Sequence, residues 1–120
     1  VVDRESAQMV ELRNIEFESG RAAIPADGMS TLRDILTALA AAPGTRFVVA
    51  GHTDDRGDPR ANISLSQARA NAVVSYLARE GLGTSRFDAR GYGASRPIAD
   101  NSTAEGRRRN RRIEFVKVGG

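Results

Sequence analysis

A short apolar run, TRFVVAG at residues 45–51, is the feature that most constrains how this chain can fold. Its length and its β-branched side chains predict a strand that is buried within a sheet. Segments with helical periodicity precede and follow this run, so helices are expected to cover the strand. The chain is therefore predicted to combine helices and a sheet in one packed unit.

Two helices are predicted, one on each side of this strand. The first begins after Pro25 and ends at Pro43 and Gly44, which are typical of a helix start and a helix stop. Its apolar side chains recur on a single helical face. These side chains are Met29, Leu32, Leu36 and Leu39. A polar loop, residues 52–62, then leads into the second helix, which runs to about Glu80.

Three further runs predict strands. Residues 12–19 alternate apolar and acidic side chains, residues 85–93 end at glycines, and residues 111–118 should turn Ile113 and Phe115 inward. The predicted order is β-α-β-α-β-β. We therefore expect an α+β fold in which two main helices pack on a mixed, four-stranded sheet.

The composition fits a single domain over residues 1–120, with 40% apolar and 28% charged residues. The absence of cysteine excludes disulfides, thiolate metal sites and a thiol nucleophile. Since no apolar run approaches the ~18 residues that a spanning helix needs, we expect no membrane span in this fragment. The chain begins with Val1 and not with methionine, so an excised domain or a mature fragment is expected.

The positive charge of the chain is local. Of 18 basic residues only Lys117 is a lysine, and five of the arginines fall in residues 106–112. The 13 that remain are outnumbered by 15 acidic residues. Aromatic residues are only 5% of the chain and none lies among the clustered arginines, so there is no ring to stack on a base. The cluster therefore favours a solvated or anion-facing helix end over a nucleic-acid surface.

One arginine, Arg69, stands in an unexpected place on the second helix. With Leu65 as reference, it projects at about 40° and so lies inside the apolar arc of that helix. Ser64 and Gln67 fit a capping box, which puts the predicted helix start close to Arg69, where a cation opposes the helix dipole. A guanidinium directed toward a core needs an anionic partner, and Asp54 is the nearest candidate in the sequence.

Two interpretations of Asp54 and Arg69 follow from the residues alone. In one, they form an internal ion pair that pins the loop to the helix. In the other, both are presented to a ligand that carries an amine and a carboxylate, such as a zwitterionic amino-acid head group. The geometry of the sequence does not decide between them.

Several linked motifs of the chain resemble the OmpA-like C-terminal domain family, to which OmpA, Pal and MotB belong. The motifs occur in order over nearly the whole chain. They are IEFESGRAAIPADG, GHTDDRG, NISLSQARA, GYGASRP and NSTAEGRRRNRRIEF. The resemblance implies a non-enzymatic, periplasmic module that binds peptidoglycan and so anchors an outer-membrane or other envelope protein to the cell wall. A protein–protein module of the same fold, with a vestigial pocket and another envelope protein as its partner, is the alternative.

The resemblance also implies the ligand and the residues that bind it. The ligand is the diaminopimelate residue of the stem peptide, whose side-chain end carries an ammonium and a carboxylate. Asp54 matches the aspartate that accepts the ammonium, and Arg69 matches the arginine that holds the carboxylate. Asn62 and Arg111 match residues that line the pocket, and Thr53 is expected to shape the loop.

Two positions depart from the family pattern. Gly20 stands where some members carry an asparagine, so any contact there would come from the backbone. Ala94 replaces an acidic residue that is often found in the GYG motif, which we interpret as a surface change.

A metal site or a catalytic site is not expected. His52 is the only histidine, and with Asp54 and Asp55 it gives no convincing ligand spacing, so a hydrogen-bonded histidine at a strand end is favoured. Hydrolysis of peptidoglycan would need a catalytic acid and base, or a metal-bound water. Two adjacent carboxylates in an open loop do not provide these groups. We therefore predict no enzymatic activity, no metal and no cofactor.

Overall fold

A computed structural model describes residues 9–12 and 22–118. The strands are β1 (Met9–Leu12), β2 (Arg46–Gly51), β3 (Phe87–Gly91) and β4 (Ile113–Val118). The helices are α1 (Ala26–Ala40), α2 (Pro59–Arg79) and α3 (Ala104–Asn110), and a 3-10 turn, Thr84–Arg86, precedes β3. Within the described ranges, no helix has the length and apolar character that crossing a membrane requires.

The strands form one mixed sheet in the order β1-β4-β2-β3. β2 pairs in parallel with β3 and antiparallel with β4, and β1 pairs antiparallel with β4. The α+β class and the mixed sheet agree with the prediction. The prediction of two main helices is corrected by a third, α3, whose start is capped by Thr103 through its hydroxyl.

The core lies between the helices and one face of the sheet. Ile113 and Phe115 are buried there as predicted, and the rings of Phe47 and Phe115 meet edge to face with centroids 6.0 Å apart. Apolar residues of the helices complete the cluster. They are Leu32 and Leu39 of α1 and Ala70, Val73, Tyr76 and Leu77 of α2.

The structure describes only the first residue of the segment in which the first strand was predicted. That strand was expected at residues 12–19, whereas β1 is Met9–Leu12. Residues 13–21 lie outside the described part of the chain, and with them most of that prediction and the whole of Gly20.

The start of α2 corrects a second prediction. The helix begins at Pro59, and Asp58 caps it by accepting a hydrogen bond from the backbone N–H of Arg60. Ser64, which was predicted to cap the helix, lies inside it. Arg69 is therefore well beyond the first turn, and the predicted opposition between its charge and the helix dipole does not arise.

Two glycines let α2 approach the ends of β2 and β3. A Cβ on Gly51 would lie 2.1 Å from the backbone oxygen of Ser66, and one on Gly91 would lie 2.4 Å from the backbone nitrogen of Gln67. No side chain larger than hydrogen fits at either position without a backbone shift. This close approach brings the middle of α2 against the loop that follows β2.

We expect Gly51→Ala to lower the free energy of unfolding by about 1–3 kcal/mol, since the new methyl group collides with helix backbone. Gly83→Ala is the matched control, because a Cβ there meets only the Ser85 Oγ, at 3.7 Å. Both changes reduce the conformational freedom of the unfolded chain by the same amount. The difference between the two variants in free energy of unfolding therefore measures the effect of the collision alone. Urea denaturation of the two variants measures it; equal stabilities would show that α2 moves aside freely.

Candidate functional site

The loop after β2 is held firmly against its neighbours. Backbone N–H groups of His52 and Thr53 donate to the carbonyls of Arg112 and Gly93, at 3.0 and 2.9 Å. The Thr53 hydroxyl donates to the carbonyl of Asp54 at 2.7 Å. These hydrogen bonds fix the backbone of the loop that carries Asp54.

The Asp54 carboxylate accepts hydrogen bonds from its own loop and from the C-cap residue of α3. Oδ1 accepts from the backbone N–H of Arg56 at 3.0 Å, and Oδ2 accepts from Nη1 of Arg111 at 2.8 Å. The ion pair with Arg111 joins residues that are 57 positions apart in the sequence. Because an ionised carboxylate offers about four acceptor sites, Asp54 retains capacity for a further donor.

Arg69 is fully buried, with 0% of its surface exposed, although it carries a guanidinium. The pKa of Arg69 is lowered to about 10. Burial is the main cause, the positive charge of Arg111 adds to it, and the negative charge of Asp54 opposes it. Two guanidinium groups therefore act on one carboxylate, and positive charge is in excess. The prediction that Arg69 enters the apolar side of α2 is confirmed by its burial.

Asn62 lies two helical turns before Arg69 and fastens the loop to α2. Its amide donates to the carbonyl of Arg56 at 2.9 Å and makes a longer contact, 3.5 Å, with that of Asp54. The spacing of seven residues places Asn62 and Arg69 on the same face of the helix. One helix face therefore supplies both residues to the site.

These side chains enclose a cavity of about 110 Å³. It is lined by Thr53, Asp54, Arg56, Asn62, Leu65, Arg69 and Arg111. Sites for whole small molecules usually measure roughly 300–1,000 Å³, so this cavity suits a head group. The structure brings together five of the six predicted site residues, and Gly20 lies outside the described residues.

Arg56 and Leu65 were not predicted as site residues, although the positions of both in the sequence indicated that they lie close to predicted ones. Leu65 is one turn before Arg69, so it must share the same helix face. Arg56 lies two residues after Asp54 in the same loop. The cavity therefore offers three arginines against one carboxylate. Nε of Arg111 has no hydrogen-bond partner in the described part of the chain, which leaves it able to donate to a ligand.

His52 belongs to a separate polar cluster on the other face of β4. Its Nε2 lies 3.3 Å from Oε1 of Glu114, and its ring stacks with that of Tyr92 at a centroid distance of 5.5 Å. Arg112 holds the second oxygen of Glu114 through Nε at 2.8 Å. Among the residues that the structure describes, no group of three or more histidine, cysteine or acidic side chains could hold a metal ion.

The surroundings of Glu114 make the stability of the fold depend on pH. Burial by itself raises the pKa of Glu114, but the contacts with His52 and Arg112 outweigh it and lower the pKa from 4.5 to about 2. The folded state therefore gains stability above pH 4.5 that it loses as the pH falls toward 2.

We expect Glu114→Gln to remove this part of the pH dependence, which amounts to about 3 kcal/mol between pH 7 and pH 2. Glu105→Gln is the control, because its ion pair with Arg108 is exposed to solvent and contributes little. Urea denaturation at a series of pH values compares the variants with the wild type. A pH profile of Glu114→Gln that matches the wild type would disprove the assignment.

The fold and the cavity together define a small α+β binding domain with a charged pocket where the central strand ends. The model of the OmpA family matches residues 16–111, which is most of the chain. The chain belongs to this family.

Two related sequences and one solved structure show which proteins the chain is similar to. The probable lipoprotein YiaD of Escherichia coli is 42% identical over 103 residues, which cover 86% of this chain and 47% of YiaD. The peptidoglycan-binding protein ArfA of Mycobacterium tuberculosis is 40% identical over 97 residues, or 81% of this chain and 29% of ArfA. The crystal structure of the peptidoglycan-associated lipoprotein from Burkholderia pseudomallei superimposes with a TM-score of 0.81 at 26% identity, covering 87% of this chain and 88% of that one. The chain thus spans less than half the length of these two curated relatives.

Proposed function

We propose that this domain binds peptidoglycan non-covalently through the side-chain end of diaminopimelate in the stem peptide. The observation that carries the proposal is the joint presence of Asp54, Arg69 and Arg111 around one small cavity. A carboxylate and two guanidinium groups are complementary to a ligand that carries an ammonium and a carboxylate. Two of the relatives that the chain resembles are named for their association with peptidoglycan.

Each charged group of the cavity has a role in this proposal. The ligand ammonium donates to Asp54, which uses only part of its acceptor capacity in the structure. The ligand carboxylate accepts from Arg69 and from the Nε of Arg111. It also offsets the positive charge of Arg111, which adds to the effect of burial in lowering the pKa of Arg69.

The remaining predicted residues would support the ligand indirectly. Asn62 and Thr53 hold the loop that carries Asp54, through the hydrogen bonds described above. Gly20 would add a backbone contact from the segment before α1. Within the described residues, the cavity is lined by one carboxylate and no histidine, so binding and not hydrolysis is the function that we propose.

A cavity of this size predicts modest affinity for a single stem peptide. Firm attachment to the wall would come from many copies of the parent protein on one polymer. We further propose that the domain acts in the periplasm as part of an outer-membrane or other envelope-anchored protein.

The proposal is tested by sedimentation of the domain with insoluble, purified peptidoglycan of the diaminopimelate type. Free meso-diaminopimelate should release the bound domain, whereas glutarate, which has no ammonium, should not. Cosedimentation that neither compound reverses would indicate nonspecific adsorption through the exposed arginines. Failure to cosediment would favour the alternative function, a module that binds another envelope protein.

A further inference from the structure

A second cavity, of about 300 Å³, adjoins the charged cavity. It is lined by Asp55, Pro59, Asn62, Ile63, Tyr92, Ala94 and Ser95. Asn62 lines both cavities, and the consecutive residues Asp54 and Asp55 each line one of them. The two cavities are therefore neighbours, formed by the same loop and the same end of α2.

The walls of the second cavity are well supported. Gly93 has a φ of 59°, and its backbone N–H donates to the Ser66 hydroxyl at 2.9 Å, which fixes the loop after β3 against α2. A Cβ on Gly93 would lie only 3.0 Å from Cγ1 of Ile63. The loop and the first turns of α2 are thus in close contact, and together they form the walls of the cavity.

The lining of this cavity favours a small, uncharged apolar group. Ile63 is 52% exposed, and it lies beside Pro59 and Ala94. A single exposed isoleucine is ordinary on a protein surface; this one lines a cavity next to a binding site. The Tyr92 ring is stacked with His52, and the guanidinium of Arg96 lies 4.0 Å from its centroid, so the ring is poorly placed to stack on a sugar.

Asp55 adds a selective element. It carries the one carboxylate among the residues that line the second cavity, and it is exposed. A free carboxylate in this cavity would be repelled by Asp55, whereas an amide N–H could donate to it. The cavity therefore favours an apolar residue whose own carboxyl group is in an amide bond.

From this chemistry, and resting on the proposed function, we propose that the second cavity binds the alanine that follows diaminopimelate in the stem peptide. The short methylene chain of diaminopimelate joins its side-chain head group to the peptide backbone, where this alanine begins. Binding is favoured when the alanine carboxyl is amide-linked, as it is in the donor strand of a cross-link. The domain would then recognise a stem peptide by two neighbouring groups.

Two synthetic stem peptides test the proposal by isothermal titration calorimetry. One ends at diaminopimelate and the other continues to alaninamide; in both, the C-terminal main-chain carboxyl is an amide and the side-chain head group is free. The wild type should bind the longer peptide about three- to fivefold more tightly, because one methyl group and its backbone become buried. Ile63→Ser should remove this preference and leave the affinity for the shorter peptide unchanged.

Val118→Ser is the matched control, since Val118 is the other exposed large apolar residue in the described part of the chain and lies outside this cavity. It should retain the preference. A third peptide, which ends in alanine with a free carboxylate, should bind the wild type less tightly than the alaninamide peptide. Asp55→Asn should reduce that difference.

The outcomes separate this inference from the proposed function. Equal affinity of the wild type for the two amidated peptides would overturn the second site and leave the first intact. An equal loss of affinity for both peptides in Ile63→Ser would also overturn it, because the residue would then act on the first cavity. If the wild type bound neither peptide, the proposed function would fail and the inference with it.

Discussion

Replacing Arg69 with glutamine is expected to weaken the binding of a soluble, diaminopimelate-containing stem peptide roughly 30- to 150-fold. The expected loss corresponds to about 2–3 kcal/mol, the usual contribution of a charge-assisted hydrogen bond in a buried site. Arg69 is fully buried, so solvent does not screen its interaction with a ligand carboxylate. Calorimetry with the stem peptide measures the loss directly.

The control for this variant is Arg60→Gln. Arg60 lies on the same helix and carries the same charge, but it is exposed and does not line the cavity. Its replacement should change the affinity by less than about twofold, since an exposed charge contributes little. Circular dichroism and thermal unfolding establish that each variant is folded.

A folded Arg69→Gln domain that binds the peptide as the wild type does would show that Arg69 is structural only. If the glutamine variant unfolds, Arg69→Lys provides the test. Lysine keeps the charge and much of the length of the side chain but cannot donate two parallel hydrogen bonds. We expect this variant to fold and to bind at least about tenfold more weakly than the wild type.

The second large effect concerns the ligand. Stem peptides that contain lysine in place of diaminopimelate should bind the wild type at least about 30-fold more weakly. Lysine has the ammonium that Asp54 would accept, but it lacks the side-chain carboxylate. The guanidinium groups of Arg69 and Arg111 would then remain close together with no ligand anion between them, and an added ammonium would increase their repulsion.

Measuring each single variant with both peptides shows which residue distinguishes diaminopimelate from lysine. Arg69→Gln should reduce the difference between the two peptides, because it removes the group that distinguishes them. Asp54→Asn should weaken both peptides to a similar degree, because both carry the ammonium. Equal binding of the two peptides by the wild type would remove the proposed role of Arg69.

Much of the fold follows from local patterns in the sequence. The run at residues 45–51 is a central strand, β2, because its apolar side chains can be buried only inside a sheet. Alternation in the last strand correctly turned Ile113 and Phe115 toward the core. The helical period placed Arg69 inside an apolar arc, and its complete burial agrees with that placement.

The local pattern failed at the start of α2. Ser64 with Gln67 fits a capping box and predicted the helix start, but in the structure the helix starts at Pro59 and is capped by Asp58. The position of α2 also involves contacts with residues that are distant in the sequence. The hydroxyl of Ser66 accepts from the backbone of Gly93, and its carbonyl lies against Gly51. A helix that began after Ser64 would leave Asn62 without its place beside the loop.

The sequence by itself therefore determined β2, β3, β4, the presence of the two long helices and the unusual arginine, because these depend on the period of neighbouring side chains. Only the tertiary structure decided that the Asp54 carboxylate forms its ion pair with Arg111. Asp54 follows β2 and Arg111 precedes β4, and the antiparallel register that pairs Gly51 with Ile113 puts both at the same end of the sheet. Their contact at 2.8 Å is a consequence of strand pairing, which no local pattern specifies.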